Sequence, residues 1–240
     1  MEPAFDATHE AARLMGLYGH KTGEALLRPL ITGELAGRIA LVSSFGTESA
    51  ILLDMVARID PSVPVLFLNT GKLFGETLRY RDRLVEDLGL TDAREIQPDP
   101  ADLDAEDADG VLWMRNADRC CALRKVRPLQ RALEPFQAWI TGRKRYQGGS
   151  RRELPVIEPA DGRIKINPLA DWTRNEIETH LDARGLPRHP LEAEGFLSIG
   201  CMPCTDRVAA CEDIRQGRWR GLAKTECGIH RPPTTRVSPQ

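Results

Sequence analysis

Nowhere in this 240-residue chain does an apolar run approach the roughly 18 residues of a membrane-crossing helix, so no membrane span is expected. Neither sign of charge is in excess: 33 Lys and Arg face 35 Asp and Glu, a formal net charge of −2. That balance argues against a generic polyanion binder, and no nucleic acid partner is expected. The opening MEPAFDATHEAARL has no basic stretch followed by an apolar core, so it does not read as a secretory leader. The expected location is the cytoplasm. Internal repeats and low-complexity tracts are also lacking, and the length suits one large domain or one domain with a small appendage.

What is present is an ordinary globular composition, 41% hydrophobic and 28% charged, enough to bury a core. RIALVS (38–43) and PVLFLN (64–69) read as buried strands, REIQ (94–97) as a weaker one, and AWITG (138–142) as a fourth. The apolar spacing of 50–59 and 76–90 predicts helices, as does 118–133. KINPLADWTRNEIETHLDARG gives a short strand and a helix with Thr173 as its N-cap. The acidic 99–109 stretch reads as a loop. Strands alternating with helices predict an α/β fold with a parallel sheet.

Ligands of such sheets sit at the carboxyl ends of the strands, and three loops there carry suitable chemistry. SSFGTES (43–49) offers hydroxyls, a glycine and a following helix N-terminus, which together suit an anion. NTG (69–71) is a polar turn after a buried strand. TGRKRYQGGSRR (141–152) holds Arg143, Lys144, Arg145, Arg151 and Arg152 with no acidic residue. A basic loop alone is usually a solvated face; three such loops in succession favour a nucleotide or phosphate ligand.

Six cysteines in a cytoplasmic chain point to metal or catalysis rather than disulfides. Cys120 and Cys121 are adjacent. Their Cα atoms stand about 3.8 Å apart, closer than the roughly 4.4–6.8 Å of a disulfide. Cys201 and Cys204 form a CxxC loop. Four thiolates suit either a tetrahedral zinc or an iron–sulfur cluster, and the cramped adjacent pair favours a [4Fe–4S] cubane. Small core thiols are the plainer alternative for the pair, but Arg119, Arg124 and Lys125 beside it do not suit an apolar site. Cys211, in RVAACEDIR, reads as a buried thiol in a helical stretch. Cys227, in KTECGIH (224–230), has Lys224, Gly228 and His230 near it. Cationic neighbours raise the thiolate fraction, and a glycine allows close approach.

The motifs SSFGTES, FLNTGKLFGET, CCALRKVRPL, WITGRKRYQGGSR, KINPLADWT, SIGCMPCT, GRW and KTECGIH stand in this order over about residues 38–231. On them the chain resembles the assimilatory adenylyl-sulfate reductases, within the adenylyl-sulfate and phosphoadenylyl-sulfate reductase family. The resemblance implies an adenine-nucleotide α-hydrolase-like (PP-loop type) fold and the reduction of adenylyl sulfate to sulfite and AMP. That reaction belongs to sulfate assimilation toward cysteine, with thioredoxin or glutaredoxin as reductant. It implies a nucleotide-binding α/β domain at 38–200 and a C-terminal segment at 201–240 bearing the catalytic cysteine; 1–37, outside the likeness, reads as a helical segment with no motif.

Residue by residue, the resemblance makes Cys227 the nucleophile and Cys120, Cys121, Cys201 and Cys204 the ligands of a [4Fe–4S] cluster. It sets Lys125 between cluster and substrate, and Arg151, Arg215 and Arg218 on the phosphosulfate. Ser43, Ser44, Gly46, Glu48, Asn69, Thr70 and Gly71 match nucleotide-contacting loops. Arg143 of the basic loop and His230 are further substrate candidates. The four cluster cysteines match the adenylyl-sulfate type; since some cluster-bearing members use both substrates, a 3′-phosphoadenylyl-sulfate or dual-substrate reductase is the alternative. Ile229 stands where leucine is common, and Cys211 has no counterpart role.

The implied chemistry is attack of the Cys227 thiolate on the activated sulfur, giving an S-sulfocysteine, then release of sulfite by an external thiol. The cluster is expected to act electrostatically and structurally, since thiols already account for the redox change. A tRNA-thiolating pyrophosphatase shares the sheet and sometimes a cluster. It needs an SGGxDS-type loop, however, where this chain has Phe45 and Glu48. A non-enzymatic metal or redox-sensing module is the other alternative.

Overall fold

The protein is described by a computed structural model covering residues 5–209, 213–222 and 224–230. Two helices lead, α1 (Ala7–Tyr18) and α2 (Gly23–Pro29). Asp6 caps α1, accepting from the N–H groups of Thr8 and His9 at 2.9 and 3.1 Å. Then β1 (Ile39–Ser43), α3 (Ser49–Ile59), β2 (Val65–Leu68), α4 (Gly75–Asp87) and β3 (Ala93–Ile96) alternate. Next come α5 (Pro100–Glu106), α6 (Leu112–Arg115), α7 (Ala117–Cys121) and α8 (Arg127–Ala132), followed by β4 (Ala138–Ile140), β5 (Ile157–Ala160), β6 (Arg163–Ile166) and α9 (Arg174–Ala183).

The sheet order is β3-β2-β1-β4-β6-β5. All neighbours are parallel except β5 and β6. Residues along β1 alternate between two cores. Ile39 and Leu41 join α1, α2, α3 and α9 on one face, while Ala40 joins Leu129, Leu133 and Trp139 on the other. Both faces are covered, which is why β1 and β2 read as continuous apolar runs. The strand order reverses between β1 and β4. Loops leaving the two strands there diverge, and their carboxyl ends open a crevice.

Four expectations change. The 99–109 stretch is helical over Pro100–Glu106, because Asp99 caps Ala101 N–H at 2.9 Å and Pro100 fills the first turn. The 118–133 helix starts at Ala117, runs through a wide π turn at Ala122–Val126, and ends at Ala132. The sheet is not wholly parallel. Asp161 and Gly162, with φ of 53° and 73°, make a tight turn that folds β5 back on β6. The helical stretch expected at RVAACEDIR is not helical at Arg207 and Val208, and Cys211 lies outside the described residues. Thr173 does cap α9, in a reciprocal pair with Glu176. Among the described residues, no helix is long and apolar enough to cross a membrane.

Candidate active site

The crevice between β1 and β4 is a cavity of about 200 Å³. Ser43, Ser44, Gly46 and Glu48 line it from the loop after β1, and Arg143 and Arg151 from the loop after β4. Lys125, Arg215, Arg218, Cys227 and His230 close it. Two strand-end loops, Lys125 and the C-terminal segment thus converge on one space.

The loop after β1 is fixed from below. Phe45 takes a left-handed φ of 47°, rare for a bulky residue. Its ring compensates by full burial, edge-on to Phe67 at 5.2 Å. The turn aims the start of α3 into the crevice, where backbone N–H groups and the helix dipole favour an anion.

Glu48 turns toward the loop after β4 rather than the open cavity. It accepts from Lys144 Nζ at 2.5 Å and from Tyr146 and Gln147. Burial pushes its carboxyl up, but Lys144 outweighs that and holds it below the usual carboxylate range. Glu48 therefore ties two strand ends together. Arg143 is likewise engaged, with Glu158 and with Asn167 Oδ1 at 3.1 Å.

Asn69, Thr70 and Gly71 do not line this cavity. Asn69 bonds Glu95 at 2.9 Å and caps Gly71 N–H at 3.0 Å. Thr70 Oγ1 lies 3.2 Å from Cys201 Sγ, and its carbonyl accepts from Arg124 at 2.8 Å. This turn faces the cysteine site instead.

Cys120, Cys121, Cys201 and Cys204 line one second, smaller cavity with Lys72, Arg124 and Lys125, and no carboxylate joins them. Among the described residues, no group of three or more His, Cys, Asp or Glu is arranged to hold a metal ion. The donor set nevertheless suits an anionic thiolate cluster, since four sulfurs share a space with three cations. Burial and then Cys201 push Cys120 up to about 11, and the same two causes raise Cys204. Neighbouring thiolates discourage one another, so charging all four together calls for a cation among them.

Lys125 and Trp219 line both cavities and so form the wall between them. Burial opposes the Lys125 charge, but Cys201, Cys227 and Cys121 hold its pKa above the usual range. Trp219, at φ 52°, carries Arg218, Lys224 and Arg215 over its ring at 4.5, 5.5 and 5.9 Å. Gly200 makes room for Arg218, because a Cβ there would fall 2.2 Å from its guanidinium.

Cys227 is reached from three sides. The Cys121 thiol beside it, then Lys125, the Ile229 backbone N–H and Arg218, outweigh burial and hold it well below the usual thiol range. Gly228 lets the chain press close; a Cβ would stand 3.0 Å from Val126 and 3.9 Å from Cys121. His230 stacks on Trp139 at 5.9 Å with only 6° between the rings. Its Nδ1 is buried without a hydrogen-bond partner among the described residues. Burial and the cations Arg143, Arg151, Lys165 and Arg215 hold it neutral. Glu226, which the motif reading passed over, bonds both Arg151 and Arg215. It sits inside KTECGIH beside Cys227, so a count of carboxylates near the basic loop's targets could have found it.

Fold and site define a PP-loop-type nucleotide-binding α/β protein with a cysteine-bearing C-terminal segment. The phosphoadenosine phosphosulfate reductase domain matches residues 38–207. The adenosine 5′-phosphosulfate reductase of Chelativorans sp. (strain BNC1) is 51% identical over 228 residues, 95% of this chain and 93% of that protein. The adenosine 5′-phosphosulfate reductase of Mesorhizobium japonicum is 52% identical, over 92% of this chain and 87% of that one. Among solved structures, phosphoadenylyl-sulfate reductase from Candida auris in a phosphate complex superposes with a TM-score of 0.70. It is 24% identical, over 86% of this chain and 100% of that one. The chain belongs to the adenosine 5′-phosphosulfate and phosphoadenosine phosphosulfate reductase family.

Proposed function

We propose that this protein reduces adenylyl sulfate to sulfite and AMP in assimilatory sulfate reduction, in the cytoplasm, with thioredoxin or glutaredoxin as electron donor. The observation that carries the reading is the convergence of Cys227, Lys125, Arg151, Arg215 and Arg218 on the one crevice at the strand-order reversal. In this reading residues 38–200 bind the nucleotide, with Ser43, Ser44 and Gly46 at the helix N-terminus taking the α-phosphate. Residues 201–240 bring the reacting thiol.

The Cys227 thiolate attacks the sulfate sulfur, and the S–O bond to phosphate breaks with its electron pair leaving on AMP. Lys125, Arg151, Arg215 and Arg218 stabilise the charge that builds on the phosphosulfate oxygens. A thiolate of the reductant then attacks the Cys227 sulfur, and sulfite departs with the S–S bonding pair. The mixed disulfide is resolved by the reductant's second thiol, which returns Cys227 as thiolate. His230, held neutral and with its ring not among the groups that lower Cys227, is assigned to the substrate rather than to thiol activation.

Cys120, Cys121, Cys201 and Cys204 would hold a [4Fe–4S] cluster, which when bound supplies fixed charge and a covalent tie between α7 and the 201–204 loop. Asn69 to Gly71 border that site, so their proposed role is to support it.

The test is sulfite formation with thioredoxin, comparing adenylyl sulfate with its 3′-phosphorylated form, on protein analysed for iron and sulfide. Preference for the unphosphorylated substrate, with about four irons and four sulfides per chain, is expected. Preference for the 3′-phosphorylated form would reassign the substrate, and zinc without sulfide would remove the cluster.

A further inference from the structure

Glu226 holds the two arginines that the proposed reaction needs. Arg151 Nε and Nη2 donate to its two oxygens at 2.6 and 2.8 Å. Arg215 Nη2 adds a third bond at 3.2 Å. The Arg151 and Glu226 side chains are only 9% and 8% exposed, so water does little to weaken the pair. All three residues line the crevice. The same Glu226 Oε1 accepts the backbone N–H of Cys227 at 2.9 Å.

We propose that Glu226 is an internal stand-in for the substrate's sulfate, a latch that adenylyl sulfate must displace, so that arrival of substrate and release of the Cys227 backbone are one event. This rests on the crevice being the adenylyl-sulfate site. A carboxylate and a sulfate group each present two oxygens and one negative charge to a bidentate guanidinium. Exchange of one for the other conserves the charge beside Arg151 and Arg215, whereas adding sulfate without removing Glu226 sets two anions against each other in a buried site. Displacement also takes the acceptor from the Cys227 N–H, leaving the segment free to move the thiol from Cys121 toward the sulfur. Without substrate, the latch keeps the reactive thiol beside Cys121. Glu226 is thus a positioning residue, and by reciprocity its hold on the arginines weakens anion binding by the same factor that the anion loosens the segment.

The probe is adenosine 5′-diphosphate, in which an unreactive phosphate replaces the sulfate. Calorimetric titration is compared among wild type, Glu226→Gln and Glu226→Asp. Hydrogen exchange of the 224–230 peptide is followed with and without the probe. The latch predicts about tenfold tighter binding by E226Q, with AMP, which lacks the terminal anion, tightened less. E226D keeps the charge and stays close to wild type. In wild type the probe speeds exchange of 224–230; in E226Q exchange is already fast without it. Unchanged or weaker binding by folded E226Q overturns the latch, as does a wild-type 224–230 peptide indifferent to the probe. The second measurement decides alone if E226Q does not fold. Binding by neither protein removes the adenylyl-site reading and the latch with it, whereas binding insensitive to Glu226 removes the latch only.

Discussion

The α3 helix and the described residues of 213–230 both hold buried side chains, but by opposite means. In α3, Ala50, Ile51, Leu52, Leu53, Asp54, Met55 and Val56 are buried in succession, almost all of them apolar. In 213–230 the buried side chains among the described residues are Trp219, Lys224 and Glu226. Lys224 pairs with Asp118 and Glu226 with two arginines, while three cations lie over Trp219. Apolar burial has no competitor in solution. Ion pairs and cation–π contacts do, because any anion that reaches the same arginines replaces the pair. The scaffold is therefore built to stay, whereas the segment bearing Cys227 is held by contacts that an incoming anion can replace.

The sharpest way to break that contrast is in the core. Leu53 is fully buried, and Leu53→Ala should cost about 2–5 kcal/mol of unfolding free energy, read from urea titrations. The KM for adenylyl sulfate should not move. A loss below about 1 kcal/mol would show that α3 carries less of the fold than its burial indicates.

His189 tests the scaffold's buried polar groups. Its Nδ1 accepts the Leu191 N–H at 3.2 Å, which leaves the proton on Nε2 to donate to Thr77 Oγ1 at 3.0 Å. Burial lowers its pKa to about 4 from 6.5, with Glu76 pulling weakly the other way. Between those values the unfolded chain binds a proton that the folded one refuses. Stability therefore falls as pH drops through that window, by roughly 2–3 kcal/mol. His189→Gln should flatten this part of the pH–stability curve, and parallel curves for the two proteins would contradict the assignment.

The smallest effect on global stability should come from the segment. Trp219→Leu removes three cation–π contacts and should lower unfolding free energy by about 2 kcal/mol. Limited proteolysis within 213–230 should accelerate severalfold, and more at high salt in wild type than any cut in α3. Equal salt response of the two regions would dissolve the contrast.

Much of this was legible in the sequence, for physical reasons. Strands buried on both faces announce themselves as apolar runs, so β1, β2 and β4 were found. Thr173 and Glu176 spell their own cap. The π turn after Cys121 has no such signature, because it is set by tertiary packing around the cysteines rather than by local propensity. Asp99-Pro100 and Asp161-Gly162 are local signals of a helix start and a tight turn, but the acidity of the first stretch reads as loop and the strands beside the second are only four residues each. At the site, residue types located the cations but not their partners. That Arg151 and Arg215 meet Glu226, or that Glu48 meets Lys144, depends on contacts 75, 11 and 96 residues apart. Periodicity carries no information at that range.

Whether Cys227 is the sulfur nucleophile can be read from the mass of the intact protein. Reduced protein incubated with adenylyl sulfate, without thioredoxin, should gain one sulfonate, mapped to the Cys227 peptide and removed on adding reduced thioredoxin. Cys227→Ser should keep its fold and any bound iron, gain nothing, and lose sulfite formation by roughly a thousandfold or more. An adduct on another cysteine, or none while wild type still turns over, would contradict the account.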